Sequence, residues 1–252
     1  MKHCDVISAE TLGLFVNDFD DLLDQFPKPL RAHSRRVAIC CAVMAEHAKS
    51  FLKYYDFSNH WYEPRGRDPG PVPAAMTAHN PCCGELDPGR IKTSLEATMH
   101  MGGTLHDIGK LFIPVKTTEA DYQRHPSLGA EFLERHKTEM FSNEVQAQIV
   151  VEMVRCHHEQ PDGDGFPDSL KGRFVPFVAG MCAVADRIDH RLYAKKDFFI
   201  NSDNVLKDIK KKSETEFFAS SVICAEQVWS QIIRHYTNWN RFAAANGDGG
   251  GI

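Results

Sequence analysis

Two stretches of this chain carry residues whose types and spacing suit metal chemistry. The first, GGTLHDIGKLFIP at 102–114, sets His106 beside Asp107 and follows them with Gly109 and Lys110. An imidazole next to a carboxylate can ligate two neighbouring ions when the carboxylate bridges them. Lys110, one helical turn past His106, can reach a phosphate oxygen. The second stretch, RCHHEQPDGDGFPDSLKG at 155–172, places His157 and His158 at the end of an apolar helical run. A loop follows, punctuated by Gly163, Gly165 and Pro167, with Asp162, Asp164 and Asp168 favouring turns. Packing explains adjacent histidines at that point poorly. An HD dipeptide alone is weak evidence, whereas HDIGK followed downstream by HHE and an Asp-Gly-rich loop is far more specific.

The elements that must position these residues read as helices, and period-2 strand patterns are absent. Residues 8–26 place Leu12, Phe15, Phe19, Leu22 and Phe26 on one stripe after a Ser8 cap. Residues 31–53 align Val37, Cys41, Met44 and Ala48, and further helical patterns occupy 91–107, 127–137, 143–158, 173–195, 203–212 and 215–240. Between them, 56–90 is rich in Pro and Gly, shows no sustained period and is too long for an ordinary connection. It holds His79, Cys82 and Cys83, which offer no second well-spaced metal pair. The expectation is one all-α domain: an N-terminal helix within 1–30, a helical bundle over 31–240 with a long irregular insertion at 56–90, and a disordered tail at 241–252.

The 252 residues are 42% hydrophobic, enough for a sizeable core, and the net charge of −5 argues against a nucleic-acid polymer as partner. Bound metal ions can still supply local positive charge for a phosphate substrate. None of the eight cysteines forms a C-x-x-C pair, and no run is apolar enough to span a membrane. A reducing cytoplasm is the expected compartment, with no membrane partner.

HDIGK together with HHEQPDGDGFP closely resembles the HD-GYP branch of the HD-domain metal-dependent phosphohydrolases, with Phe166 in place of the branch's tyrosine. The likeness runs from about Leu30 to Tyr193, apart from 56–90, and includes RAHSRRVA at 31–38, RHPSLGAEFL at 124–133 and VPFVAGMCAVADRID at 175–189. It implies an HD-domain helical bundle around a dinuclear centre. His33, His106 and Asp186 would bind the first ion, His125, His157 and His158 the second, and Asp107 would bridge the two. Iron or manganese would occupy both positions. Lys110, Gly165, Phe166, Arg191 and Tyr193 would meet the substrate, with Lys110 and Asp107 acting in catalysis. The implied reaction opens cyclic di-GMP to linear pGpG, and further to GMP in some members, by a hydroxide held between the ions. His3, His47, His60, His100, His136, His190 and His235 match no motif and read as structural or solvent-facing.

Three departures from the family pattern bear on this reading. Pro29 stands where some members have a glutamate for a third metal, which points to two ions. The interval between HDIGK and His125 is shortened to VKTTEADYQ, and DRIDHRLY is more compact than usual. These changes touch substrate contacts more than metal ligands. Two other readings therefore stay open: a phosphohydrolase for another cyclic dinucleotide or phosphoester, and a non-catalytic module that binds cyclic di-GMP or a signalling partner such as a diguanylate cyclase.

Overall fold

The stripe of Val37, Cys41, Met44 and Ala48 falls on the buried face of a 21-residue helix, and the elements after it follow the same logic. The computed structural model describes residues 19–48, 95–114, 117–141, 143–193 and 198–245. In chain order the helices are α1 (Phe19–Asp24), α2 (Lys28–Ala48), α3 (Leu95–Leu105), α4 (Glu119–Tyr122), α5 (His125–Met140), α6 (Glu144–Cys156), α7 (Phe177–Tyr193), α8 (Phe198–Lys211), α9 (Ala219–Gln227) and α10 (Trp229–Ala245). Two 3-10 turns, Ile108–Phe112 and Gly172–Phe174, join them. The described residues contain no strand beyond an isolated bridge between Ser213 and Phe217, so the fold is all-α. No described helix is long and apolar enough to cross a membrane. The insertion at 56–90 with His79, Cys82 and Cys83, the N-terminal residues 1–18 and the end after Ala245 lie outside the described residues.

Several helix ends differ from the sequence reading by a few residues, and two differences change the architecture. The pattern at 215–240 is two helices, α9 and α10, which bend at Val228 (φ −103, ψ 11). Val228 is fully buried, and the bend lets both arms pack on α2. A straight helix could not keep both faces in that contact. The last helix runs to Ala245, inside the stretch expected as tail.

Helix α7 lies at the centre, against α2, α3, α6, α8 and α9. One apolar cluster gathers Val37, Met44, Met181, Val184, Ile188, Val222 and Ile232; a second gathers Leu22, Phe26, Leu105, Ile108, Phe132, Leu133 and Val150. Helices α3 and α6 contribute to both clusters. Two glycines allow the close approaches this requires. A Cβ on Gly103 would stand 2.8 Å from Ala38 Cα, so α2 and α3 pack backbone to backbone. A Cβ on Gly109 would stand 1.8 Å from the His125 carbonyl oxygen, so any side chain there would push the start of α5 away from Asp107.

Candidate metal centre

Five elements deliver side chains to one buried point. His33 comes from the first half of α2, and His106 and Asp107 follow the C-terminus of α3. His125 opens α5, His157 and His158 close α6, and Asp186 lies within α7. Pro126 in the first turn of α5 suits a helix start, where its missing N–H leaves no bond unmade.

The ring nitrogens are oriented from behind. Nδ1–H of His106 donates to the Gly103 carbonyl (2.7 Å), that of His125 to Tyr122 (2.7 Å) and that of His157 to Val154 (2.8 Å). A carbonyl only accepts, so each Nδ1 carries a proton and each Nε2 is the atom turned to the centre. His33 is held by a carboxylate instead: its Nδ1 donates to Asp189 Oδ2 at 2.7 Å, and Arg36 clamps Asp189 with two bonds of 2.7 and 2.9 Å. Asp189 and Arg36 are both buried, and the guanidinium of Arg36 stacks 3.6 Å from the Tyr193 ring centre.

The Asp107 carboxylate divides the histidines into two groups. Its Oδ2 lies 3.5 Å from His33 Nε2 and 3.4 Å from His106 Nε2, while its Oδ1 lies 3.2 Å from His125 Nε2 and 3.8 Å from His157 Nε2. Asp186 Oδ1 joins the first group, 3.1 Å from His33 Nε2, and His158 joins the second. Within each group two Nε2 atoms face each other, His33 and His106 at 3.2 Å and His125 and His157 at 3.3 Å. Neutral rings would oppose bare lone pairs at that distance, and two doubly protonated rings would oppose N–H groups. A shared cation removes the conflict, and ligands at about 2.1 Å from one ion stand about 2.9–3.4 Å apart. Asp107 Oδ1, Asp186 Oδ1 and His158 Nε2 are buried without a hydrogen-bond partner, as atoms reserved for a cation would be. The residues present therefore fit two divalent ions, one on each side of Asp107.

Charge differs between the groups. Burial by itself would lower the His33 pKa, but Asp107, Asp186 and Asp189 outweigh it and push the ring up to about 11. For His106, Asp107 and Asp186 likewise overcome burial and raise it to about 9. In the other group burial dominates: it holds His157 well below the usual range and brings His158 down to about 3. Both aspartates stay ionised despite burial, Asp107 through His106 and Lys110 and Asp186 through His106 and His33.

A family model described as "HD domain" matches residues 84–191, which hold every residue of the centre except His33. The cyclic di-GMP phosphodiesterase response regulator RpfG of Xanthomonas campestris pv. campestris is 36% identical over 107 residues, which is 38% of this chain and 27% of that protein. The 3'3'-cGAMP-specific phosphodiesterase 2 of Vibrio cholerae is 33% identical over 104 residues (37% and 19%), and a cyclic di-GMP phosphodiesterase of Thermotoga maritima is 35% identical over 95 residues (34% and 24%). Over residues 84–191 the chain is therefore similar to HD domains. Its His and Asp groups are of the kind that can hold divalent metal, and the chain spans about a quarter of the length of these curated relatives or less.

The other residues singled out from the HD-domain motifs fall into two sets. Lys110 Nζ sits 2.6 Å from Asp107 Oδ2 and is mostly buried. Phe166 stacks on His158 (4.6 Å between ring centres, 27° between planes), and its N–H donates to the His158 carbonyl. A Cβ on Gly165 would lie 2.5 Å from backbone atoms of His158, Glu159 and Gln160, so glycine is needed for the loop to fold back there. Glu159, the third residue of HHE, accepts from the backbone N–H of Asp168 (2.6 Å) and Leu170 (2.7 Å) and pins that loop. Arg191 and Tyr193, in contrast, are not brought to the centre. Arg191 is 44% exposed and pairs with Asp208 at 3.1 Å, and Tyr193 covers Arg36 and bonds to Asn240. Five residues past Asp186 a helical side chain points to another face, and seven past it lies about 10 Å along the axis.

Sequence reasoning missed two residues. Asp189, the support of His33, had no motif of its own. His190, read from sequence as structural or solvent-facing, groups with His33 and Asp186, its Nε2 3.3 Å from Asp186 Oδ1. The signal that finds it is the i, i+4 spacing of Asp186 and His190 on one helix face.

Proposed function

We propose that this HD domain hydrolyses a phosphodiester bond of a cyclic dinucleotide, opening cyclic di-GMP to linear pGpG and on to GMP. The observation that carries the reading is the Asp107 carboxylate, one oxygen turned to each histidine group. Two divalent ions bound there would activate a water and neutralise charge on the phosphate oxygens. Iron or manganese suits the mixed imidazole and carboxylate donors. His33, His106 and Asp186 would hold one ion and His125, His157 and His158 the other. Lys110, its ammonium fixed on Asp107, stands where it can stabilise negative charge building on the phosphate. Phe166 presents an aromatic face at the mouth, suited to a stacked base, on a loop that Gly165 allows to close. The described cysteines Cys40, Cys41, Cys156, Cys182 and Cys224 are free, buried thiols, in keeping with a reducing cytoplasm. A diguanylate cyclase or similar signalling protein is a natural partner, since it supplies the nucleotide such a centre consumes.

The names of two relatives, 3'3'-cGAMP-specific phosphodiesterases 1 and 2 of Vibrio cholerae, favour a second substrate reading within the same chemistry. One experiment tests both. The protein is purified anaerobically, its metal is quantified, and each cyclic dinucleotide is incubated while linear products are followed by chromatography, with Asp107→Ala alongside. The expected result is two metal equivalents and turnover that Asp107→Ala lowers at least ~100-fold together with its metal content. Metal binding without turnover of either nucleotide overturns the catalytic reading in favour of a receptor.

A further inference from the structure

We infer that His190 is an additional protein ligand of the ion on the Asp186 side of the centre, a position that no motif of the chain assigns to it. The inference rests on the metal-centre reading above and extends it by one residue. Three imidazole nitrogens converge on a single oxygen, Asp186 Oδ1: His33 Nε2 at 3.1 Å, His190 Nε2 at 3.3 Å and His106 Nε2 at 3.7 Å. That oxygen is buried, and none of the three nitrogens meets it in hydrogen-bond geometry. The His33 and His190 spacings, without hydrogen-bond geometry, are what atoms on the edges of one coordination shell show, at about 2.9–3.4 Å for ligands about 2.1 Å from an ion. His190 shares this signature with His33. Their rings lie 4.7 Å apart, and the ligating atoms of His33, Asp186 and His190 stand within 4.8 Å of one another.

The surroundings explain why the residue belongs on the open side. His190 is 53% exposed, so its ring fills no core space, yet its Nε2 points inward at a buried carboxylate. Asp186 presents one buried carboxylate oxygen to two flanking imidazoles, His33 and His190. The two ions are then held unequally: five side chains on the Asp186 side, with Asp107 counted once for each ion, against four on the His158 side. A ligand at the solvent-facing edge is the one that can yield to an incoming phosphate oxygen.

The test reads metal binding directly. Metal-free wild type and His190→Ala are titrated with Mn(II), with free Mn(II) followed by its paramagnetic resonance, and with Co(II), with visible absorption reporting the ligand set. Both proteins should reach two equivalents. In the variant one Mn(II) dissociation constant should rise at least ~10-fold while the other holds, and the Co(II) bands should change. His190→Asp, which restores a donor, should recover most of the affinity. Unchanged constants and an unchanged Co(II) spectrum overturn the assignment while leaving the dinuclear centre intact. A third equivalent that only His190→Ala removes also overturns it, by placing His190 on an ion of its own. Failure of the wild type to take up any Mn(II) sinks the metal-centre reading and this inference together.

Discussion

The group around His33 and the group around His157 share the Asp107 carboxylate, yet they hold charge in opposite ways. Around His33, Asp186 and Asp189 add carboxylates, and the imidazoles are biased toward the protonated form. In the group around His157, Asp107 is the one carboxylate among the described donors, and burial keeps His157 and His158 neutral. The first group attracts a cation of any kind, a proton included. The second offers neutral donors that select an ion by ligand type more than by charge. Two ions in such a centre would meet unequal demands, although the residue types read from the sequence are nearly the same.

Removing one side at a time should break the symmetry most clearly. Asp186→Ala and His158→Ala should each reduce bound metal from two to roughly one equivalent and lower turnover at least ~100-fold, as measured by elemental analysis and product chromatography. If either variant loses both ions, the groups are not separable and the comparison fails.

The support of His33 should come next. Asp189→Ala strands the Arg36 guanidinium, which is buried, so folding stability should fall by about 3–5 kcal/mol in denaturant titrations. A loss below ~1 kcal/mol would show that Arg36 finds water or another partner.

A smaller, pH-dependent difference should appear in the metal-free protein. His33 and His106 have folded pKa values raised above 6.5, to about 11 and about 9. Their contribution to stability is full below the ordinary value and is lost as pH rises through those values. His158 is lowered to about 3, so its neutral form is favoured by folding. That contribution is present above 6.5 and is lost as pH falls toward about 3. Urea midpoints should therefore fall on both sides of neutrality, and Asp186→Asn should flatten the alkaline arm while sparing the acid one. Equal flattening of both arms would contradict the division.

The smallest effect should come from Arg191→Ala. Its pair with Asp208 is partly exposed, so stability should change by less than ~1 kcal/mol, with metal content unchanged. A drop in metal content would bring Arg191 back to the centre.

Helical periodicity and the motifs HDIGK and HHE, read with RAHSRRVA, RHPSLG and the Asp186 segment, already named the all-α class and the seven residues that converge. Those features are local: a helix declares itself over a few turns, and ligand chemistry resides in residue type. The sequence by itself went no further, because the remaining questions concern direction and distance. Only packing against α2, α5 and α6 decides that the two oxygens of Asp107 face different histidines. Only the rise of α7 carries Tyr193 past the centre onto Arg36, while the i+4 turn brings His190 back beside Asp186. The bend at Val228 likewise follows from two arms packing on one helix, a constraint that no run of residues records.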